Sequence, residues 1–136
     1  MGSLAFRDAV VTALVGWANG RSDCRLYLEN GAEVDIDTDE TPVVSVEIHY
    51  TGSEQADLNA RPMTRDDGSI LITILVRQMT GMRMAYGLRE ELAALLQRND
   101  FGGARTHTAR KLPNTAEVKG WVGYRLAVPF WHYHLD

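Results

Sequence analysis

The chain has 136 residues, 45% of them hydrophobic and 24% charged, with a formal net charge of −4. That length supports one domain with a single core rather than two, and the composition excludes wholesale disorder. The acidic balance argues against a general nucleic-acid binder. No run approaches the roughly 18 apolar residues of a membrane span. Cys24 is the single cysteine, which excludes an internal disulfide and fits synthesis in a reducing cytosol.

Ser3 is a capping residue type, and Phe6, Val10, Ala13, Leu14 and Trp17 recur at helical spacing up to the Asn19-Gly20 stop. These signals predict an amphipathic helix over 3–18. A short strand is expected over 24–28, ended by Asn30-Gly31. After Pro42, Val44, Val46, Ile48 and Tyr50 alternate with Ser45, Glu47 and His49, which predicts a strand with one buried and one wet face. Residues 51–68 are polar, with Gly52, Pro62 and Asp67-Gly68 as turn signals, and read as a long loop, the element expected to move. A strand rich in Ile, Leu and Val returns over 69–78.

Thr80 is placed to cap a second helix, whose buried stripe would be Met82, Ala85, Leu88 or Arg89, Leu92, Leu95 and Leu96. Met79, Met82 and Met84 read as core packing near its start. Arg98 suits the negative end of the helix dipole. A strand over 104–112 follows the Gly102-Gly103 turn. Over 119–134, Val122, Tyr124, Leu126, Val128 and Phe130 share one face, and Pro129 implies a sheet edge. Trp121 falls on the opposite face, covered there by a helix or left for a partner. The predicted fold is one α+β domain over 1–136. It has a mostly antiparallel sheet of about five strands, two helices packed on it and a long hairpin loop.

Reactive chemistry is hard to find. Neither a nucleophile elbow nor a phosphate-binding glycine loop is present, and no Cys-His signature surrounds Cys24. Asp35, Asp37 and Asp39 imitate the opening of a calcium loop, but Glu40 stands where the turn needs Gly and Val46 where the bidentate Glu belongs. His132 and His134 share a strand face and could join His49 or His107 around zinc. They read more simply as an exposed, loosely held terminus. No catalytic residue, metal or cofactor is expected.

From Phe101-Gly102-Gly103 onward, and above all over Gly120-Trp121-Val122-Gly123-Tyr124-Arg125-Leu126-Ala127-Val128-Pro129-Phe130, the chain resembles the closing segment of the tail-terminator-like family of siphophages. The order of elements before it is similar as well. The ring-rich Trp131-His132-Tyr133-His134 tail and the acidic stretch before Pro42 depart from the family pattern. The resemblance implies a structural protein of the virion tail, assembled in the host cytoplasm. Such proteins form a ring, typically a hexamer, that ends tail-tube polymerisation and offers a surface for head joining. The implied partners are further copies of itself, the tail-tube protein and a neck or head-completion protein, with no membrane and no specific nucleic acid. A neck or head–tail joining protein is the near alternative; a small ligand-binding module or enzyme is the alternative of another class.

Charge is distributed unevenly along the sequence. Glu29, Glu33, Asp35, Asp37, Asp39 and Glu40 lie within twelve residues free of any basic one, for a charge of −6. Between 98 and 111, four basic residues, Arg98, Arg105, Arg110 and Lys111, stand against Asp100 alone, for +3. The acidic run is either a solvated loop or a surface that meets a basic partner. In a ring, each copy meets the next through two different surfaces. The candidate interface therefore comprises the six acidic residues, Arg105, Arg110 and Lys111, Arg61 and Arg65 in the polar loop, and Trp121. The rival reading is charge balance within one molecule.

Overall fold

The computed structural model describes residues 2–21, 23–28, 41–58, 61–77, 82–115 and 120–135, with side chains described except at 2–3, 51–66 and 132–135. The elements in chain order are α1 (Gly2–Ala18), β1 (Arg25–Leu28), β2 (Val43–Leu58), β3 (Arg61–Arg77), α2 (Met82–Leu96), β4 (Asp100–Phe101), β5 (Ala104–Thr106), β6 (Arg110–Leu112) and β7 (Trp121–Leu135). The strands form a curled sheet in the order β1-β2-β3-β7-β5-β4, with β6 also on β7. This is an α+β fold. The sheet is mixed rather than mostly antiparallel, because β1 runs parallel to β2 with Arg25 opposite Val43. Among the described residues it also has seven strands rather than about five.

Residues 51–58 and 61–68 are strand rather than loop. β2 and β3 pair antiparallel from Val43↔Leu75 out to Leu58↔Arg61, with one register shift between Tyr50 and Gly52. Ladder hydrogen bonds are made by the backbone and do not require apolar alternation, so a polar strand leaves no periodic signal.

β7 pairs with β3 along its length, with Arg77 opposite Trp121 and Met63 opposite Leu135. The histidines at 132 and 134 therefore belong to a paired strand rather than a loose terminus. Nor does Pro129 mark an edge, since β5 and β6 line the other side of β7. Thr106 is opposite Phe130 and Arg110 is opposite Ala127, so three residues on one strand face two on the other. That bulge is where His107 N–H donates to the Pro129 carbonyl at 2.8 Å. A strand residue's N and carbonyl point to the same side, so the missing proline N–H falls on the bulge, where a ladder bond is already lost.

The core lies between this sheet and the helices. Phe6, Val10 and Leu14 form the buried stripe of α1, and Ala85, Leu88, Leu92 and Leu96 that of α2. Facing them are Val44 and Val46 of β2, Ile70, Ile72, Ile74 and Val76 of β3, and Tyr124, Leu126, Val128 and Phe130 of β7. The predicted wet face of β2 is not wholly wet, because Val43 is fully buried, and Tyr50 on the core-facing side is 45% exposed. Met82 and Met84 are exposed rather than core. Met84 sits about 100° around the helix from Ala85, and Met82 opens the first turn. Met79 and Thr80 lie outside the described residues.

Thr106, fully buried on β5, closes the end of α2. Its hydroxyl donates to the Leu96 carbonyl and accepts from the Asn99 N–H at 2.9 Å, while its own N–H donates to the Asn99 carbonyl at 2.9 Å. Arg98 takes the left-handed conformation at φ 55° that ends the helix. The hairpin after it turns through Gly102 and Gly103, both at positive φ, as two-residue hairpins require. A Cβ on Gly102 would also fall 2.3 Å from the Ala5 carbonyl oxygen of α1. Thr106→Val should strand two backbone groups and lower stability by about 2 kcal/mol, whereas Thr106→Ser keeps the hydroxyl. Denaturant unfolding checks this, with a shifted midpoint and an unchanged slope for the valine variant.

Candidate functional site

The predicted interface residues that the structure describes fall on strands β3, β5, β6 and β7. Glu29, Glu33, Asp35, Asp37, Asp39 and Glu40 lie outside the described residues, in the connection between the parallel pair β1 and β2. Arg61 and Arg65 are strand residues of β3 rather than loop residues. Trp121 is 1% exposed and has the Arg77 guanidinium 4.9 Å from its ring centre. It is covered by its own chain rather than left for a partner, and so offers no surface to an interface. Arg105 and Arg110 are exposed, with Arg105 3.3 Å from Asp100. Lys111 is exposed and lies beside a groove.

That groove runs between α2 and β6. It comprises two adjoining hollows of about 290 and 260 Å³ that share Arg89, Glu90 and Lys111. Two registers place these side chains. Lys111 is opposite Leu126, whose side chain joins the core, so Lys111 projects from the helix-covered face of the sheet. Tyr86 and Arg89 are three apart on α2 and share a helical face. Tyr86 meets Tyr124 of β7 edge-on at 5.3 Å. The Arg89 guanidinium lies 5.2 Å from the Tyr86 ring centre and 5.8 Å from that of Tyr124. The far end of the groove is pinned by Ala109 N–H donating to Gln97 Oε1 at 3.0 Å.

Arg89 is the residue that the sequence reading did not single out. It occupies a stripe position, four residues after Ala85 and three before Leu92, and is only 8% exposed. Among the described residues no carboxylate pairs with it, and its Nε has no hydrogen-bond partner. The available signal was a cation inside an apolar helical stripe. Read by periodicity alone, that position was interchangeable with Leu88, which is also buried.

One other polar cluster is satisfied within the fold. The Arg21 guanidinium bridges Asp23, at 3.0 and 2.9 Å, and Glu91 of α2, at 2.8 and 3.2 Å. It also lies 4.4 Å over Trp17, tying the end of α1 to α2. Hydrogen bonding to Arg21 holds both carboxyls below their ordinary values. His107 stacks on Trp131 with ring centres 3.3 Å apart. Burial, and then the charge of Arg105, lower its pKa. Cys24 is buried, which pushes its thiol up, and Asp23 adds to this. A raised thiol pKa disfavours the reactive thiolate. Among the described residues no group of three His, Cys, Asp or Glu could hold a metal ion, and no helix is long and apolar enough to cross a membrane.

No family model and no curated protein matches the chain. Among solved structures, one protein without a functional name is similar over 100% of this chain and 96% of its own, with a TM-score of 0.59 and 18% identity. At that identity the likeness establishes the fold alone.

Two pH-dependent outcomes are expected. Asp23 and Glu91 have folded pKa values below the ordinary 3.8 and 4.5. Their pairing with Arg21 therefore stabilises the fold at neutral pH and fades as pH falls through the depressed values. Because both carboxylates are partly exposed, Arg21→Gln should cost less than about 1 kcal/mol at pH 7, and the difference should vanish in acid. Paired unfolding curves at the two pH values test this. His107 has the opposite sense: its neutral form is favoured, so stability falls as pH drops below the ordinary 6.5. NMR titration should place its midpoint below 6.5. Arg105→Gln should raise that midpoint only part of the way, leaving the effect of burial.

Proposed function

We propose that this chain is a structural tail-assembly protein of the tail-terminator type. Copies form a ring, expected to be a hexamer, on the end of a phage or prophage tail tube. The ring stops tube growth and presents its other face to a neck or head-completion protein. No turnover of a small molecule is expected, and the protein would be made in the host cytoplasm and act in the virion tail.

What supports this reading is that the acidic run lies, in the sequence, between the two strands of one sheet edge, while the described basic residues lie beyond β7. The acidic run joins β1 to β2, at one edge. The basic residues Arg105, Arg110 and Lys111 sit on β5 and β6, across β7 from β3. Copies set side by side would bring unlike surfaces together, as head-to-tail closure of a ring requires. Complementary charge of this kind fixes orientation and suppresses wrong partners. The resemblance of residues 101–130 to the terminator-like family supports the same reading.

Electron microscopy of the protein mixed with purified tail tubes tests it. The expected result is one ring at one end of each tube and an arrest of further polymerisation. Added density that joins only heads would favour the neck-protein alternative; an absence of binding to tubes and heads alike would sink both. Association on the tube should weaken between low and high salt, since the exposed charges are screened over roughly 10 Å at 0.1 M.

A further inference from the structure

We propose that the groove between α2 and β6 is a carboxylate-binding site, and that its occupant is the acidic segment 29–40 of a second copy of this chain. The proposal deepens the ring reading by naming one of its contacts.

Arg89 provides the main argument. Arg89 is 8% exposed as a residue, and its Nε is buried; taking a guanidinium nitrogen out of water costs free energy unless an anion or acceptor replaces the water. The rings of Tyr86 and Tyr124 offset part of that cost through their negative faces. They supply no acceptor for the N–H fork, and Nε has no hydrogen-bond partner. The planar five-donor fork matches a planar carboxylate. Lys111 adds a second cation at the mouth, and neither it nor Arg89 is paired with a carboxylate among the described residues. Glu90 lines the same groove and leaves it with a net charge of only +1, so it should weaken anion binding.

Topology favours a second molecule as the source. Residues 29–40 carry six carboxylates and no cation, and their flanking residues Leu28 and Thr41 adjoin the β1–β2 edge. From β1 to β6 the path crosses β2, β3 and β7, four strand spacings or about 19 Å. A neighbouring copy placed edge to edge brings its acidic segment to the groove without that traverse, and the contact repeats head to tail.

The test uses the full chain and a fluorescein-labelled peptide of residues 31–42, followed by anisotropy at low salt. Saturable binding is expected, and a peptide with Asn at 35, 37 and 39 should bind at least tenfold more weakly. Lys111→Glu should weaken binding at least fivefold, Arg89→Gln should abolish it, and Glu90→Gln should tighten it severalfold. If Arg89→Gln fails to fold, the two exposed variants decide the matter. No binding to the wild-type chain, or equal binding by Lys111→Glu, overturns the proposal. So does displacement of the peptide by inorganic phosphate at lower concentration than by free glutamate, because the site would then be a phosphate site. Tail tubes separate this inference from the functional reading. A Lys111→Glu protein that caps tubes normally defeats the groove contact and leaves the ring role standing. A wild-type chain that binds peptide but ignores tubes does the reverse.

Discussion

The fold depends on the seating of Phe130. Its ring lies 4.1 Å from Phe6 of α1 and edge-on to Tyr50 of β2 at 5.5 Å. It also covers Gly68, its cross-strand partner on β3, so closely that a Cβ there would fall 2.6 Å from the ring. The register shift between Tyr50 and Gly52 occurs at the same level. One aromatic side chain thus packs a helix against the curl of three strands, at a point where only glycine leaves room. Burying a ring of this size contributes on the order of 1.5–3 kcal/mol, and its position fixes where α1 can lie.

The other side of β7 follows from the same constraint. Thr106 is opposite Phe130, and its hydroxyl is committed to the end of α2. The pair therefore sets the place at which α2 terminates. The bulge that accommodates Pro129 comes immediately afterwards, and it shifts β6 so that Lys111 rather than a neighbour is opposite Leu126. α2 and β6 are thereby held apart by a groove, into which the helix contributes Arg89 and the strand Lys111.

This arrangement gives the surface a polarity. Apolar contacts are spent on the interior between helices and sheet, while Arg105, Arg110 and Lys111 stay exposed on the strands beyond β7. A molecule built in this way is suited to repeating contacts with its own copies. Arg89 is the exception to the sorting, a cation held in the apolar stripe between two phenol rings. Such a placement is costly without a partner.

Much of the fold was legible in the sequence. The two helices follow from the 3.6-residue spacing of Phe6, Val10 and Leu14 and of Ala85, Leu88, Leu92 and Leu96. The core-facing side of β7 follows from the alternation of Tyr124, Leu126, Val128 and Phe130, because burial on one face imposes a period that composition records. The charge imbalance between 29–40 and 98–111 was equally plain. Only the tertiary structure decided the extension of the paired strands through 51–58 and 61–68, since ladder bonds are made by backbone atoms common to all residues. The parallel seating of β1 and the tolerance of Pro129 inside a central strand also depended on which neighbours supply the partners. The same holds for the site: that Trp121 is covered and Arg89 lies in a groove beside Lys111 depends on contacts between elements far apart in the chain, and local spacing carries no trace of them.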